Sequence, residues 1–247
     1  DIDGLGIHDI RELTAPDGKS MSVKAFSIRE QAQFTPTLIF FGKNRQKALT
    51  LRGFYPAYKV LAALEYVADA HYQSMSFRDY LAQADAPPFL DDEGLISDPL
   101  FEAPPFALDR SRFPARQPLA VIFEQPQCHA CEVLHSEPLQ DPVVRERLAE
   151  FEVVKLNLWD RRTPVLTPDG RRRTPYDWAA ELRLFYTPTL IFFDGRGQEV
   201  FRIDSVVQFF RLAGVLRYVA EGAYDDYPVF QHWKFALSEP KDQAVSR

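Results

Sequence analysis

Residues 118–135 read PLAVIFEQPQCHACEVLH and hold both cysteines of the chain, Cys128 and Cys131. A short apolar run over 119–123 stops at Glu124, and the C-x-x-C follows where a helix opens. Two cysteines three positions apart on a first helical turn bring their sulfurs within bridging reach. The earlier one, Cys128, faces the free N–H groups and the positive end of the helix, which favour a thiolate. Two thiols in one motif, with no third elsewhere, suit an oxidising compartment in which spare thiols cross-link.

The rest of the composition bounds the answer. The chain has 247 residues, 46% hydrophobic and 26% charged, which fits one large globular domain or two ordinary ones. A net charge of −6 lacks the basic bias of a nucleic-acid surface. No apolar run reaches the ~18 residues of a membrane span. The first residue is Asp1, not Met, which reads as a processed or trimmed chain from which a signal peptide could have been removed.

Working outward, the heptad TPTLIFF occurs twice, at 35–41 and at 187–193, an offset of 152 residues. The same offset pairs Asp17-Gly18 with Asp169-Gly170, Tyr66-Val67-Ala68 with Tyr218-Val219-Ala220, and Tyr72 with Tyr224. One gapless register over more than fifty positions points to tandem duplication of a domain, with a period far too long for a solenoid. In each copy TLIFF reads as a strand. In the second, DGRGQ (194–198) is a turn and EVFRI a half-buried hairpin partner. Leu212, Val215, Leu216 and Val219, like Val60, Leu61, Leu64 and Val67, recur at helical spacing. Residues 141–151 and 175–185 read as helices and 151–159 as a strand. Residues 85–117, rich in proline, read as a linker that can pack over one of the domains.

The resulting β-α-β-α-β-β-α order, with C-x-x-C after the first strand and Thr-Pro before the third, resembles the thioredoxin fold. With IFEQPQCHAC, YTPTLIFFDGRGQEVFRI, LRYVAEGAY and the paired tails HYQSMSFRDYL and AYDDYPVFQHW, the chain resembles the SoxW-like branch of bacterial thioredoxin-related proteins. The resemblance covers nearly all of 118–235 and the later part of the first copy. It implies an α/β protein of two tandem thioredoxin-like domains, each a central mixed sheet flanked by helices. Their expected bounds are 1–84, incomplete at its N-terminus, and 118–247, joined by the 85–117 linker.

The implied chemistry is thiol–disulfide exchange. Cys128 thiolate attacks a substrate disulfide and Cys131 resolves the mixed disulfide. Pro188 corresponds to the family's cis proline, with Thr187 offering backbone hydrogen bonds to a substrate strand. His129, between the cysteines, either promotes the Cys128 thiolate or is an exposed helix-start residue. Glu124 is either the proton acceptor for the resolving thiol or a solvated strand end; thioredoxin's buried acid falls where this chain has Ile122. The resemblance further implies a periplasmic or otherwise exported reductase of protein disulfides, with electrons from a membrane-associated or soluble thiol donor. No cofactor is expected beyond the Cys128/Cys131 couple.

Other readings stay open. A non-catalytic binding or scaffold protein would keep the C-x-x-C as a structural or redox-sensing bridge. A metal carrier would use Cys128, Cys131 and His135, with His232 as a fourth ligand through the fold, although structural zinc takes four ligands and spacing suggests only three. The arginines of 160–175 either attract an acidic partner or form a solvated hairpin, and Trp159 and Trp178 read as packing residues. In the first copy the offset places the C-x-x-C before residue 1. Its first strand is missing too, and DIDGLGI is a poor match to the 151–159 strand. Either the natural chain extends upstream or another segment or protomer supplies the strand.

Overall fold

The computed structural model describes residues 9–33, 35–84, 95–106, 108–204 and 209–238. The DIDGLGI stretch at 1–7 and residues 85–94 of the linker lie outside the described residues.

The first half opens on a short antiparallel hairpin, β1 (Glu12–Thr14) with β2 (Ser20–Ser22). Helix α1 (Val23–Arg29) follows directly, because the Ser22 hydroxyl accepts the Ala25 N–H and supplies the N-cap. A second hairpin pairs β3 (Thr37–Phe41) with β4 (Lys47–Arg52), and helices α2 (Ala57–Ala68) and α3 (Phe77–Ala84) close this half. Among the described residues β3 pairs with β4 and with no other strand.

The second half is built around β5 (Leu119–Glu124), every residue of which is buried. Helix α4 (His129–Ser136) follows it, then α5 (Pro142–Leu148), capped by Asp141, and β6 (Glu152–Asn157). A short hairpin, β7 (Val165–Leu166) and β8 (Arg172–Arg173), leads into α6 (Pro175–Glu181), capped by Thr174. The chain ends in β9 (Thr189–Phe193), β10 (Glu199–Ile203), α7 (Phe209–Ala220) and α8 (Phe230–Ser238).

The four-stranded sheet runs β10-β9-β5-β6, with β5 parallel to β6 and antiparallel to β9. It is the central mixed sheet expected for this half. Alternation along β5 fills both faces: Ala120 and Ile122 join a core with Leu134, Leu139 and Leu216, while Leu119, Val121 and Phe123 join a second core with Trp178 and Ile191. A strand buried on both faces reads as a continuous apolar run, as 119–123 does.

Moved by 152 residues, the bounds of α1, β3 and α2 fall on those of α6, β9 and α7. The caps correspond too: Ser22 to the Ala25 N–H, Thr174 to the Asp177 N–H. So do two tyrosine hydroxyls, Tyr66 donating to the Met75 carbonyl and Tyr218 to that of Tyr227. The left-handed turn position is Arg45 (φ 60°) in one hairpin and Gly197 (φ 78°) in the other.

The halves meet through specific contacts. Tyr55 stacks against Phe185, meets Tyr186 edge-on and donates its hydroxyl to the Asp204 carbonyl, while Phe77 meets Phe185 edge-on. Lys59 donates to the Phe185 carbonyl and lies over the Tyr186 ring. Arg78 is buried between the rings of Trp159 and Tyr176. The described part of the 85–117 segment packs on the second half: Leu108 is in its core, Arg110 pairs with Glu152, and Asp98 pairs with Arg145.

Candidate active site

The site forms where β5 hands over to α4. Gln127, in the left-handed region at φ 54°, turns the chain, and Cys128 becomes the N-cap of α4. Its sulfur accepts the Cys131 N–H at 3.1 Å, one of the donors that a helix start leaves unpaired. Cys128 and Cys131 are joined as a disulfide, with Cα atoms 5.2 Å apart. Cys128 is 9% exposed and Cys131 2%, so the earlier sulfur is the one nearer solvent.

Thr187 closes over this sulfur. Its hydroxyl oxygen lies 3.6 Å from Cys128 Sγ and its carbonyl oxygen 3.9 Å. The Thr187–Pro188 peptide is cis, as is Thr35–Pro36 at the matching place in the first half. Thr189, the first residue of β9, donates its hydroxyl to the Tyr186 carbonyl and steadies the turn. Tyr55, Lys59 and Phe77 of the first half pack against Phe185 and Tyr186, directly behind that turn.

Glu124 ends β5 in register with Asn157 and is 1% exposed, so it is no solvated strand end. Side chains on a strand alternate, so Glu124 projects to the same face as Ile122, the face that carries α4. There its Oε1 meets Nε2 of His135 at 2.7 Å, and His135 is 5% exposed. Cys131, Leu134 and His135 form the buried face of α4, with Cys131 and His135 one turn apart. An ionised carboxylate this deep is costly unless paired and hydrogen-bonded, and His135 provides that partner.

The other sequence candidates separate from this cluster. His129 is 89% exposed on its side chain and lies 3.5 Å from Glu132 on its own helix. His232 is buried with its Nε2 3.3 Å from Ser27 Oγ, and His135 is engaged with Glu124; among the described residues no three His, Cys, Asp or Glu side chains converge as a metal site. Trp178 is core, whereas Trp159 donates its indole N–H to Gln125, just ahead of the C-x-x-C. Arg173, in the basic stretch, is buried against Asp169 and Glu181. No helix among the described residues is long and apolar enough to cross a membrane.

Sequence reasoning took Glu124 and His135 separately and did not join them. Two signals were available: the shared face of Ile122 and Glu124, and the one-turn spacing from Cys131 to His135. The brace from the first half was not legible, because no periodicity reports which residues of one unit touch a loop of another.

Residues 114–220 match the family model of a thioredoxin-like domain. No curated protein matches the chain. Among solved structures, a thioredoxin-fold protein from Helicobacter pylori is 17% identical over 49% of this chain and 80% of its own, with a TM-score of 0.43. A thioredoxin from Thermus thermophilus is 25% identical over 44% of this chain and 79% of its own, at 0.35. The C-terminal domain of DsbD from Neisseria meningitidis, in its reduced form, is 14% identical over 42% and 81%, at 0.32.

Proposed function

We propose that the chain is a thiol–disulfide oxidoreductase working through the Cys128/Cys131 couple, and that it reduces disulfides of partner proteins. The observation that carries this reading is the placement of the pair. Cys128 caps α4 with its sulfur toward Thr187, while Cys131 lies beneath it on the helix face that also carries His135. In the reduced protein, the free N–H groups at the start of α4 stabilise a Cys128 thiolate. That thiolate attacks one sulfur of a substrate disulfide, and the other sulfur leaves as a thiolate and takes a proton. Cys131 gives its proton to Glu124 and attacks Cys128 Sγ, forming the Cys128–Cys131 disulfide and releasing the second substrate sulfur as a thiolate that takes a proton from water. Two electrons pass from the couple to the substrate, and a thiol donor, membrane-associated or soluble, returns them. Thr187, ahead of Pro188, offers its backbone to an extended substrate segment, and exposed His129 sits at the rim. The couple needs no further cofactor, and the reading suits an exported, periplasmic protein.

The two halves are further read as copies of one thioredoxin-like unit, the second carrying the Cys128/Cys131 pair. The matched bounds, caps and tyrosine bonds at a constant shift support that reading. In it the first copy braces the Tyr186–Pro188 turn that faces the second copy's Cys128.

Reduction of insulin disulfides with dithiothreitol as donor tests the function. Wild type is expected to accelerate the reaction, Cys128→Ser to abolish the acceleration, and Cys131→Ser to accumulate a mixed disulfide with the substrate. Wild-type protein no faster than dithiothreitol alone would leave the pair a structural or sensing bridge.

A further inference from the structure

His135 is a buried imidazole with one nitrogen engaged and one open. Nε2 meets Glu124 at 2.7 Å, whereas Nδ1 has no hydrogen-bond partner among the described residues. Leaving a buried polar atom unpaired is costly, so such an atom calls for a reason. Against the ring lies an open hollow of about 380 Å³, lined by Ile96, Ser97, Asp98, Glu132, Ser136 and Gln140 together with His135 itself. The hollow runs along one side of the imidazole, whose Nδ1 lies covered at its edge, while Glu124 holds the other side.

We infer that Glu124 and His135 act as one proton relay for Cys131, with His135 as the residue that keeps Glu124 able to accept a proton and passes the charge change to water. This deepens the proposed oxidoreductase and rests on it. The protons balance as follows. Before resolution Glu124 is a carboxylate and His135 holds hydrogens on both nitrogens. As the Cys131 proton arrives on Glu124, His135 passes its Nδ1 proton to a water molecule that enters from the adjoining hollow. The pair stays neutral throughout. Without His135 a lone buried carboxylate would be unpaired, would take up a proton beforehand and would no longer serve Cys131.

The charged surroundings are few. From α4, Glu132 lines the hollow. From the 95–106 segment comes Asp98, held well below the ordinary carboxylate range chiefly by its hydrogen bonds with Arg145 of α5. Phe101 of the same segment lies 5.5 Å from the His135 ring. From β6, Lys155 is turned to the Ile96 carbonyl and to the Phe101 ring. Gln140 donates to the His135 carbonyl and fixes the helix end.

The test follows reduced protein reacting with dithiobis(nitrobenzoic acid), which releases one nitrothiolate when Cys128 attacks and a second when Cys131 resolves. His135→Gln is expected to leave the first phase within about twofold and to slow the second roughly 10–100-fold, near the lower end of general acid–base effects. It is also expected to change the second phase's pH profile. His135→Ala opens the hollow further, so added imidazole is expected to restore its second phase. A second phase in His135→Gln with wild-type rate and pH profile would overturn the relay, and so would His135→Ala that resolves slowly but ignores imidazole. Wild type lacking any first phase would instead overturn the oxidoreductase reading, and the relay with it.

Discussion

Strands β3 and β9 share the sequence Thr-Leu-Ile-Phe-Phe, and the helices that follow them, α2 and α7, have matching bounds, but their surroundings differ. All five residues of β9 are buried, because β5 pairs along its whole length and cores fill both faces. No residue of β3 is buried, and Leu38 is 38% exposed where Leu190 is 1%. On the helices, Leu216 is fully buried in the core that contains α5 residues, while the matching Leu64 is half exposed. An identical strand therefore carries different energy according to its neighbours. The first half keeps the local geometry, down to its caps and turns, while much of the burial of β9 and α7 comes from β5 and α5.

The largest expected effect comes from breaking this contrast on the helices. Leu216→Ala should cost about 2–5 kcal/mol in equilibrium unfolding, and Leu64→Ala under about 1 kcal/mol, since only the former opens a cavity. Equal losses at the two positions would mean that α2 is covered in solution.

A smaller effect lies where the two halves touch. Arg52 and Asp204, which correspond under the 152-residue shift, lie 3.4 Å apart. Burial raises the Asp204 carboxyl above its ordinary range, against the pull of Arg202 and Arg52. The native state therefore holds this proton more tightly than the unfolded chain does. The site's contribution to stability is full below the ordinary carboxylate range and is lost as pH rises through the raised native value. Asp204→Asn cannot ionise, so its Tm relative to wild type should rise as pH climbs from about 4 through the raised native value. A constant difference across that interval would show that Asp204 titrates alike in both states.

Much of this was legible in the sequence, and for identifiable reasons. The fully buried β5 announced itself as an unbroken apolar run, and α6 by Thr174-Pro175. The C-x-x-C placed itself at a helix start through residue type alone. What stayed hidden depends on contacts between distant segments: Arg78 between Trp159 and Tyr176, Leu108 of the proline-rich segment in the core, and His135 on Glu124. Glu124 was ambiguous because a strand-end acid is usually solvated. Only the packing of α4 over that face, with His135 as partner, makes its burial tolerable.

The central claim is that Cys128 and Cys131 form a working redox couple, and its most direct test is the reduction potential of the native protein, equilibrated against dithiothreitol or glutathione. A reductase should equilibrate readily, at a value near thioredoxin's, about −270 mV. A value near about −120 mV would mark an oxidant and contradict the direction proposed. A pair that does not exchange with small thiols until the protein unfolds would contradict the catalytic reading altogether.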